Sequence, residues 1–222
     1  MTKTPVALFD FDNTICAGDS ILPYLLFCIR EGLAPKAQLF IAAAAWLYQK
    51  LHPEEISYSK QRSLSFITGQ SKMAMDAAAD RFLARYIKRR AYPEAIGTIR
   101  ELKRDGWIIA VVSASPDVYM NRLPQFLPVD IVLATPCLLD QSGIYTGLIG
   151  ANCKGEEKAR RLQEMSFNGG ILRAYGDSGS DADMLRLAAE PILVNPGPAL
   201  KAAFPGARCM RWKGKTKKGP SR

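Results

Sequence analysis

The chain has 222 residues, of which 48% are hydrophobic, so it can bury the core of one large domain or of a domain with an insertion. Its five cysteines are odd in number and include no Cys-x-x-Cys pair, which argues against a disulfide framework and against a zinc site. A single histidine, His52, leaves a histidine-based triad or a multi-histidine metal site without a second member. Carboxylates are therefore the main candidate reactive groups.

The net charge of +9 is concentrated at the C-terminus. Seven basic residues and no acidic residue lie in 208–222, so the preceding 207 residues carry only +2. We predict that 213–222 form a basic, disordered tail that serves as a solubilising end. Peripheral contact with an anionic membrane is the alternative role for this tail, and a nucleic-acid partner is not expected.

The apolar segments of the chain are short. The first predicted strand begins at residue 6, so we do not expect a signal peptide before it. The longest uncharged apolar runs, 21–29 and 39–48, are shorter than the roughly 20 residues that span a bilayer. We therefore predict a cytoplasmic protein, with the inner face of the membrane as an alternative location.

The first half of the chain changes from strand to helix. Residues 6–9 form an apolar run typical of a buried parallel strand, and it ends at Asp10 and Asp12. Between 19 and 90 the hydrophobic residues recur at helical spacing, which predicts an all-helical insertion, or cap, with helices at 21–30, 35–51, 58–67 and 71–89.

The second half alternates between strands and helices. Strands are predicted at 107–113, 130–134, 171–175, 192–194 and 208–212, with a β-hairpin formed by 137–139 and 145–149. Helices are predicted at 93–104, 155–165, 182–189 and 199–203, and a further helix is predicted to begin at residue 116. This alternation predicts an α/β core domain, made of 1–18 and 91–212, around a doubly wound parallel sheet.

Polar side chains follow three of these strands. Asp10 and Asp12 follow the first, Ser113 ends the second, and Asp177 follows 171–175. The carboxyl ends of parallel strands share one edge of a sheet, where α/β proteins bind ligands. Lys154 and Asp181, each at the start of a helix, are predicted to reach the same edge. For Asp12 alone, a turn that caps the next helix is an equally good interpretation.

Four carboxylates at one edge require a compensating cation. At about 4 Å and an effective dielectric near 20, each pair repels by roughly 4 kcal/mol. Oxygen ligands without a nearby histidine or cysteine favour Mg2+, which also binds substrate phosphate. A carboxylate that can attack, one that can be protonated, a hydroxyl and an ammonium group together indicate phosphoryl transfer.

These residues resemble the four motifs of the haloacid dehalogenase superfamily of phosphatases. The motifs are Asp10-Phe11-Asp12-Asn13-Thr14, Ser113, Lys154, and Gly176-Asp177-x-x-x-Asp181, and the resemblance extends over residues 6–195. The helical insertion and the Lys-Gly-Glu sequence are similar to the branch that includes phosphoserine phosphatase. The resemblance implies a Rossmann-like core with a helical cap.

The resemblance also implies a role for each residue. Asp10 would be the nucleophile that forms an aspartyl-phosphate, and Asp12 the general acid and then the base. Ser113 and Lys154 would hold the phosphoryl group, with Lys158 as a substitute for Lys154. Mg2+ would be bound by Asp10, Asp177 and the main-chain carbonyl of Asp12, and oriented by Asp181. A core hydroxyl remains the alternative for Ser113, and a helix cap the alternative for Asp181.

The substrate is a phosphate ester whose identity these motifs leave open. Candidate substrate-binding residues are Asp19, Ala114 and Arg62, although Arg62 also fits an ordinary helix surface. Phosphoserine is one alternative substrate, but phosphoserine phosphatases usually have Glu where this chain has Asp19 and Gly-Gly where it has Ala114-Ser115, and both departures argue against it. The core of a helical bundle explains the apolar insertion, and the alternative is a membrane-associated phosphatase acting on phosphatidylglycerophosphate. A phosphate-transferring mutase and a non-enzymatic phospho-accepting receiver are further alternatives.

Overall fold

A computed structural model describes residues 4–213 except 166, 168 and 169. Its main sheet has the order β3-β2-β1-β6-β7-β8, and every neighbouring pair is parallel. β4 and β5 form a separate antiparallel hairpin. The strands are β1 (Val6–Phe9), β2 (Ile108–Pro116), β3 (Ile131–Thr135), β4 (Cys137–Leu139), β5 (Tyr145–Ile149), β6 (Ile171–Gly176), β7 (Glu190–Val194) and β8 (Arg208–Met210).

Helices cover both faces of this sheet, as the alternating sequence pattern predicts. The helices of the insertion are α1 (Ile21–Arg30), α2 (Gln38–Leu51), α3 (Ile56–Ser63) and α4 (Lys72–Arg90). The others are α5 (Pro93–Arg104), α6 (Asp117–Met120), α7 (Glu156–Gln163), α8 (Ala182–Arg186) and α9 (Pro198–Ala203). The α/β fold with an inserted helical cap is confirmed. The predicted tail lies, apart from Lys213, outside the described residues.

Some elements differ in length from the sequence prediction. The helix predicted at 58–67 is instead α3 followed by a 3-10 turn at Ser65–Ile67. β2 does not end at Ser113 but continues to Pro116, which pairs with Thr135 of β3 after a register shift. Ser113 therefore lies within the strand rather than at its end.

The insertion is fixed to the core where the chain leaves and re-enters it. The Ala17 N–H donates to the Arg90 carbonyl at 2.8 Å, and the Tyr92 N–H donates to the Ile15 carbonyl at 3.0 Å. The two chain crossings thus run side by side. The domain boundaries at 18/19 and 90/91 remain a prediction.

The β4–β5 hairpin also packs against the insertion. Gly69 and Tyr145 are linked by a 2.9 Å backbone hydrogen bond, and the Tyr145 N–H donates to the Gln70 carbonyl at 2.9 Å. The Lys72 N–H donates to the Gly143 carbonyl at 2.9 Å. These bonds link the start of α4 to the hairpin. The insertion is therefore attached to the rest of the protein at two places, the chain crossings and the hairpin.

The sheet register positions the candidate site. Phe9 pairs with Val111 on one side and with Tyr175 on the other, and the Phe9 and Tyr175 rings stack at 4.2 Å. All four residues of β1 are buried, as expected for the centre of a parallel sheet. Asp10, immediately after β1, therefore emerges at the same edge as Ser113 and Asp177.

Gly176, at the end of β6, allows a close approach to Asp181. A Cβ atom at position 176 would lie 2.6 Å from the Asp181 Cβ. We expect Gly176→Ala to destabilise the protein by about 1–3 kcal/mol, because the rigid Asp181 loop must move. Urea unfolding measures this loss. Gly179→Ala is the matched control, since a Cβ there meets nothing within 4 Å; equal losses in the two variants would contradict the packing argument.

Candidate active site

The centre of the site is a buried lysine between two buried carboxylates. Lys158 Nζ lies 2.6 Å from Asp10 Oδ1 and 2.6 Å from Asp181 Oδ1. The Lys158 and Asp181 side chains are each only 1% exposed. Burial alone would lower the pKa of Lys158, but the charges of Asp10 and Asp181 raise it above its usual range. The ammonium group is therefore held in its charged form.

Lys158, and not Lys154, occupies this position. Lys154 is exposed in the turn before α7, whereas Lys158 lies within that helix and shares its buried face with Leu162. The Lys-Gly-Glu pattern predicted Lys154 for this position. The spacing of four residues between Lys158 and Leu162 indicates Lys158 instead, because it places both side chains on the inner face of a helix.

The carboxylates of Asp10, Asp177 and Asp181 form one cluster. Each offers an oxygen within 4.8 Å of the others. Burial raises the pKa of Asp10 above its usual range, with Asp181 and Asp12 adding to the effect and Lys158 opposing it. Burial, reinforced by Asp181, also raises the pKa of Asp177 to about 6. Such a set of oxygen donors, short of positive charge, fits a hard divalent cation.

Asp181 shapes the loop that carries Asp177. Its Oδ2 accepts hydrogen bonds from the Asp177 N–H at 3.2 Å, and from the N–H and hydroxyl of Ser178 at 3.1 and 3.2 Å. Asp181 thus completes a capping box with Ser178 at the 3-10 turn Gly179–Asp181, makes no side-chain cap bond to α8, and is the second partner of Lys158.

Asp12 has a different environment from Asp10. Its Oδ2 accepts hydrogen bonds from Ser115 Oγ at 2.6 Å and from Ser20 Oγ at 3.1 Å, whereas its buried Oδ1 has no partner among the described residues. Burial, followed by the charge of Asp19, raises its pKa to about 7, and both hydroxyl contacts oppose this shift. Asp12 can therefore exchange a proton near neutral pH, which suits an acid–base group.

The end of β2 supplies the hydroxyl groups. Ser113 is buried, and its Oγ accepts a hydrogen bond from the Ser115 N–H at 3.0 Å. Ser115 was not among the sequence candidates, although its spacing of two from Ser113 places both side chains on one face of a strand. Tyr119 was also missed; its hydroxyl lies 2.7 Å from Ser20 Oγ.

The three candidate substrate-binding residues lie in different settings. Asp19 is exposed and accepts a 2.9 Å hydrogen bond from the Ile21 N–H at the start of α1. The carbonyl of Ala114 accepts hydrogen bonds from Lys60 Nζ at 2.6 Å and from Thr135 Oγ1 at 2.7 Å. Arg62 is exposed on α3, and its carbonyl accepts a hydrogen bond from Gln38. The cation that α3 directs toward β2 is therefore Lys60, which the sequence analysis missed.

Comparison with known proteins assigns the family. The profile of the haloacid dehalogenase-like hydrolases matches residues 7–186. The chain belongs to this family. Its relatives include Protein CicA of Caulobacter vibrioides, which is 28% identical over 193 residues and is matched over 82% of each chain. Histidinol-phosphatase of Neisseria meningitidis serogroup C is 26% identical, over 88% of this chain and 92% of that protein.

Solved structures agree with the fold. A phospho-aspartyl intermediate analogue of phosphoserine phosphatase has a TM-score of 0.64 at 22% identity, and the match covers 96% of this chain and 95% of that chain. This likeness shows a common fold. With the family profile and the phosphatases among the relatives, the protein is a phosphatase of the haloacid dehalogenase family.

Removing Lys158 leaves two buried carboxylates without their cation. We expect Lys158→Met to destabilise the metal-free protein by about 3–5 kcal/mol at pH 8. The loss should be smaller at pH 5, because the raised pKa of Asp10 allows its carboxyl to take up a proton and lose its charge. Urea unfolding with a chelator at both pH values measures the difference. Lys154→Met, on an exposed residue, should stay within about 0.5 kcal/mol; an equal loss there would contradict the assignment.

Proposed function

We propose that the protein is an Mg2+-dependent phosphomonoester hydrolase that acts through an aspartyl-phosphate on a small-molecule phosphate ester. The observation that carries this proposal is the position of Asp10. Its carboxylate follows the central strand, receives Lys158 on Oδ1, and belongs to a cluster of three carboxylates. A nucleophilic carboxylate beside a cation and a metal site is the arrangement that covalent phosphoryl transfer requires.

Mg2+ fits the residues around Asp10. Asp10 and Asp177 would hold the ion with the main-chain carbonyl of Asp12, while both oxygens of Asp181 already bind Lys158 and the Asp177 loop. Asp181 therefore suits an orienting role better than a direct one. Bound Mg2+ would neutralise negative charge on the carboxylates and on the transferring phosphoryl group.

The protein groups can perform both half-reactions. A carboxylate oxygen of Asp10 forms a bond to phosphorus as the bond to the leaving oxygen breaks, and Asp12 gives that oxygen a proton. In the second half-reaction Asp12 takes a proton from water, the water oxygen bonds to phosphorus, and the bond to Asp10 breaks. Phosphate is released and both carboxyl groups return to their initial states. The pKa of about 7 supports Asp12 in this exchange, and Lys158 stabilises the charged Asp10.

The nucleophile assignment is tested by Asp10→Asn. An amide attacks phosphorus poorly, so we expect at least a 1,000-fold loss of p-nitrophenyl phosphate hydrolysis, of the order seen when a covalent nucleophile is removed. An acid-quenched wild-type reaction should contain phosphoprotein that Asp10→Asn lacks. Chelation should abolish turnover and added Mg2+ should restore it. Full activity of Asp10→Asn would refute the mechanism, and transfer of phosphate within the substrate instead of its release would indicate a mutase.

We propose as a second candidate function the hydrolysis of a lipid phosphate at a membrane surface. The observation that favours it is one exposed apolar face of α2. Phe40 is 80% exposed, Leu47 56% and Leu51 72%, and their spacing places them on the same side of the helix. Lys50 Nζ lies 4.0 Å above the Trp46 ring, so basic and aromatic groups flank this face. No helix among the described residues has the length and apolar composition to cross a bilayer.

Vesicle binding separates this candidate from the first. If α2 meets a bilayer, the protein should float with phosphatidylglycerol vesicles, and the double substitution Phe40→Ser with Leu47→Ser should reduce binding at least tenfold, since each removes a large apolar contact. Met73→Ser, on an exposed residue of α4, is the control. Absence of vesicle binding, or equal binding of all variants, would refute the membrane function and leave the small-molecule activity untouched.

A further inference from the structure

Lys60 is a buried cation on α3 whose hydrogen-bond partners are all neutral. Its Nζ donates to the Ala114 carbonyl at 2.6 Å, to Asn152 Oδ1, and to Thr135 Oγ1 at 3.5 Å. Only 9% of the residue is exposed. Within the described part of the chain, no carboxylate forms an ion pair with it. A buried ammonium group without an opposite charge is costly, so the site is short of one anion.

The charged groups around Lys60 agree with this shortage. Burial, and next the charge of Lys154, lower the pKa of Lys60 to about 8. Asp19, Cys153 and Asp12 oppose the shift without cancelling it. Lys154 itself is exposed and has no side-chain partner among the residues that the structure describes. Two lysines thus lie near each other with no acid bound to either.

Lys60 and Lys154 lie next to the candidate active site. Ala114, which Lys60 contacts, directly follows Ser113. Asn152, its other partner, precedes Lys154 in the segment that leads into α7 and to Lys158. Thr135 Oγ1 joins the two segments by bonds to the Ala114 carbonyl and to Asn152 Oδ1 at 2.7 and 3.1 Å. Lys60 is therefore a residue of the insertion placed between the end of β2 and the segment that leads to Lys158.

We propose that Lys60 and Lys154 form a subsite for a second anionic group, carried by the leaving group of the phosphate ester. This inference rests on the proposed phosphatase function and specifies its substrate class. The substrates are phosphate monoesters with a carboxylate or a second phosphate near the ester oxygen. Lys154 binds the anion from the solvent side, and Lys60, whose three donors bind Ala114, Asn152 and Thr135, stabilises the anion by its positive charge.

Matched substrates test the subsite. 3-Phosphoglycerate differs from glycerol 3-phosphate by a carboxylate in place of a hydroxymethyl group, and propane-1,3-diol bisphosphate differs from its monophosphate by a second phosphate. The ratio of kcat/KM within each pair measures the preference for the anion. Wild-type protein should prefer the anionic member of at least one pair by about 10- to 100-fold, the range for hydrogen bonds to charged groups. The pair that shows the preference identifies carboxylate or phosphate as the recognised group.

Substitutions assign that preference to the two lysines. Lys60→Met and Lys154→Met should each lower the ratio at least fivefold, and Lys60→Arg, which keeps the charge, should retain most of it. Lys36→Met, on an exposed lysine of the same insertion, is the matched control and should leave the ratio unchanged. Because Lys154 is exposed, its variant tests the proposal even if Lys60→Met folds poorly. The wild-type ratio should fall above pH 8 as Lys60 loses its proton, and the Lys60→Arg ratio should not.

Two results would overturn the subsite. One is a wild-type protein without a preference in either pair, and the other is a preference that survives in both methionine variants. A failure of the proposed phosphatase mechanism would appear in a separate measurement, as phosphate release catalysed by Asp10→Asn. Calorimetric binding of each matched pair to Asp10→Asn then measures the preference without catalysis, so the subsite can fail or hold independently of the mechanism.

Discussion

The pairing of the Lys158 ammonium group with the Asp10 and Asp181 carboxylates is the interaction on which the rest of the site depends. The three groups come from α7, the end of β1 and the start of α8, so no local segment could bring them together. Burying any one of them alone would be strongly unfavourable. Because Gly176 lets Asp181 lie against the end of β6, the same pairing also fixes the loop that carries Asp177. The ion pair thus sets the shape of the sheet edge at which the candidate active site lies.

Two aspartates separated by one residue acquire different chemistry from this arrangement. Asp10 faces the lysine, whereas Asp12 faces the hydroxyls of Ser20 and Ser115. A full positive charge favours the ionised carboxylate far more than neutral donors do. Burial raises the pKa of both carboxyl groups, but only Asp10 has a buried cation directly bonded to it. In the proposed mechanism, this difference in partners would separate the nucleophile Asp10 from the proton carrier Asp12.

Sequence reasoning predicted the features that follow from local periodicity and from sheet topology. The bounds of α1 and α5 and of the β4–β5 hairpin agree with the prediction, and the convergence of Asp10, Ser113 and Asp177 followed from parallel strands sharing an edge. It did not place residues whose roles depend on side-chain direction. Lys154 and Lys158 are four residues apart, and because α7 begins at Glu156, Lys158 lies on the buried face of the helix while Lys154 lies before the helix. Likewise Lys60 and Arg62 lie on one helix, and its packing against the end of β2 directs Lys60 inward.

The insertion is part of the site and does not merely cover it. It supplies Ser20, which bonds to Asp12, and Lys60, which bonds to Ala114 and Asn152. Arg122 of the core is joined to Asp80 of α4 by two 2.8 Å hydrogen bonds, so a third contact holds the same two parts together. The environment of Asp12 therefore depends on the position of the insertion. Displacing the insertion would remove the Ser20 bond from Asp12 and the Lys60 bond from Ala114 together, so the hydrogen bonding of Asp12 and the position of Lys60 depend on the same placement of the insertion.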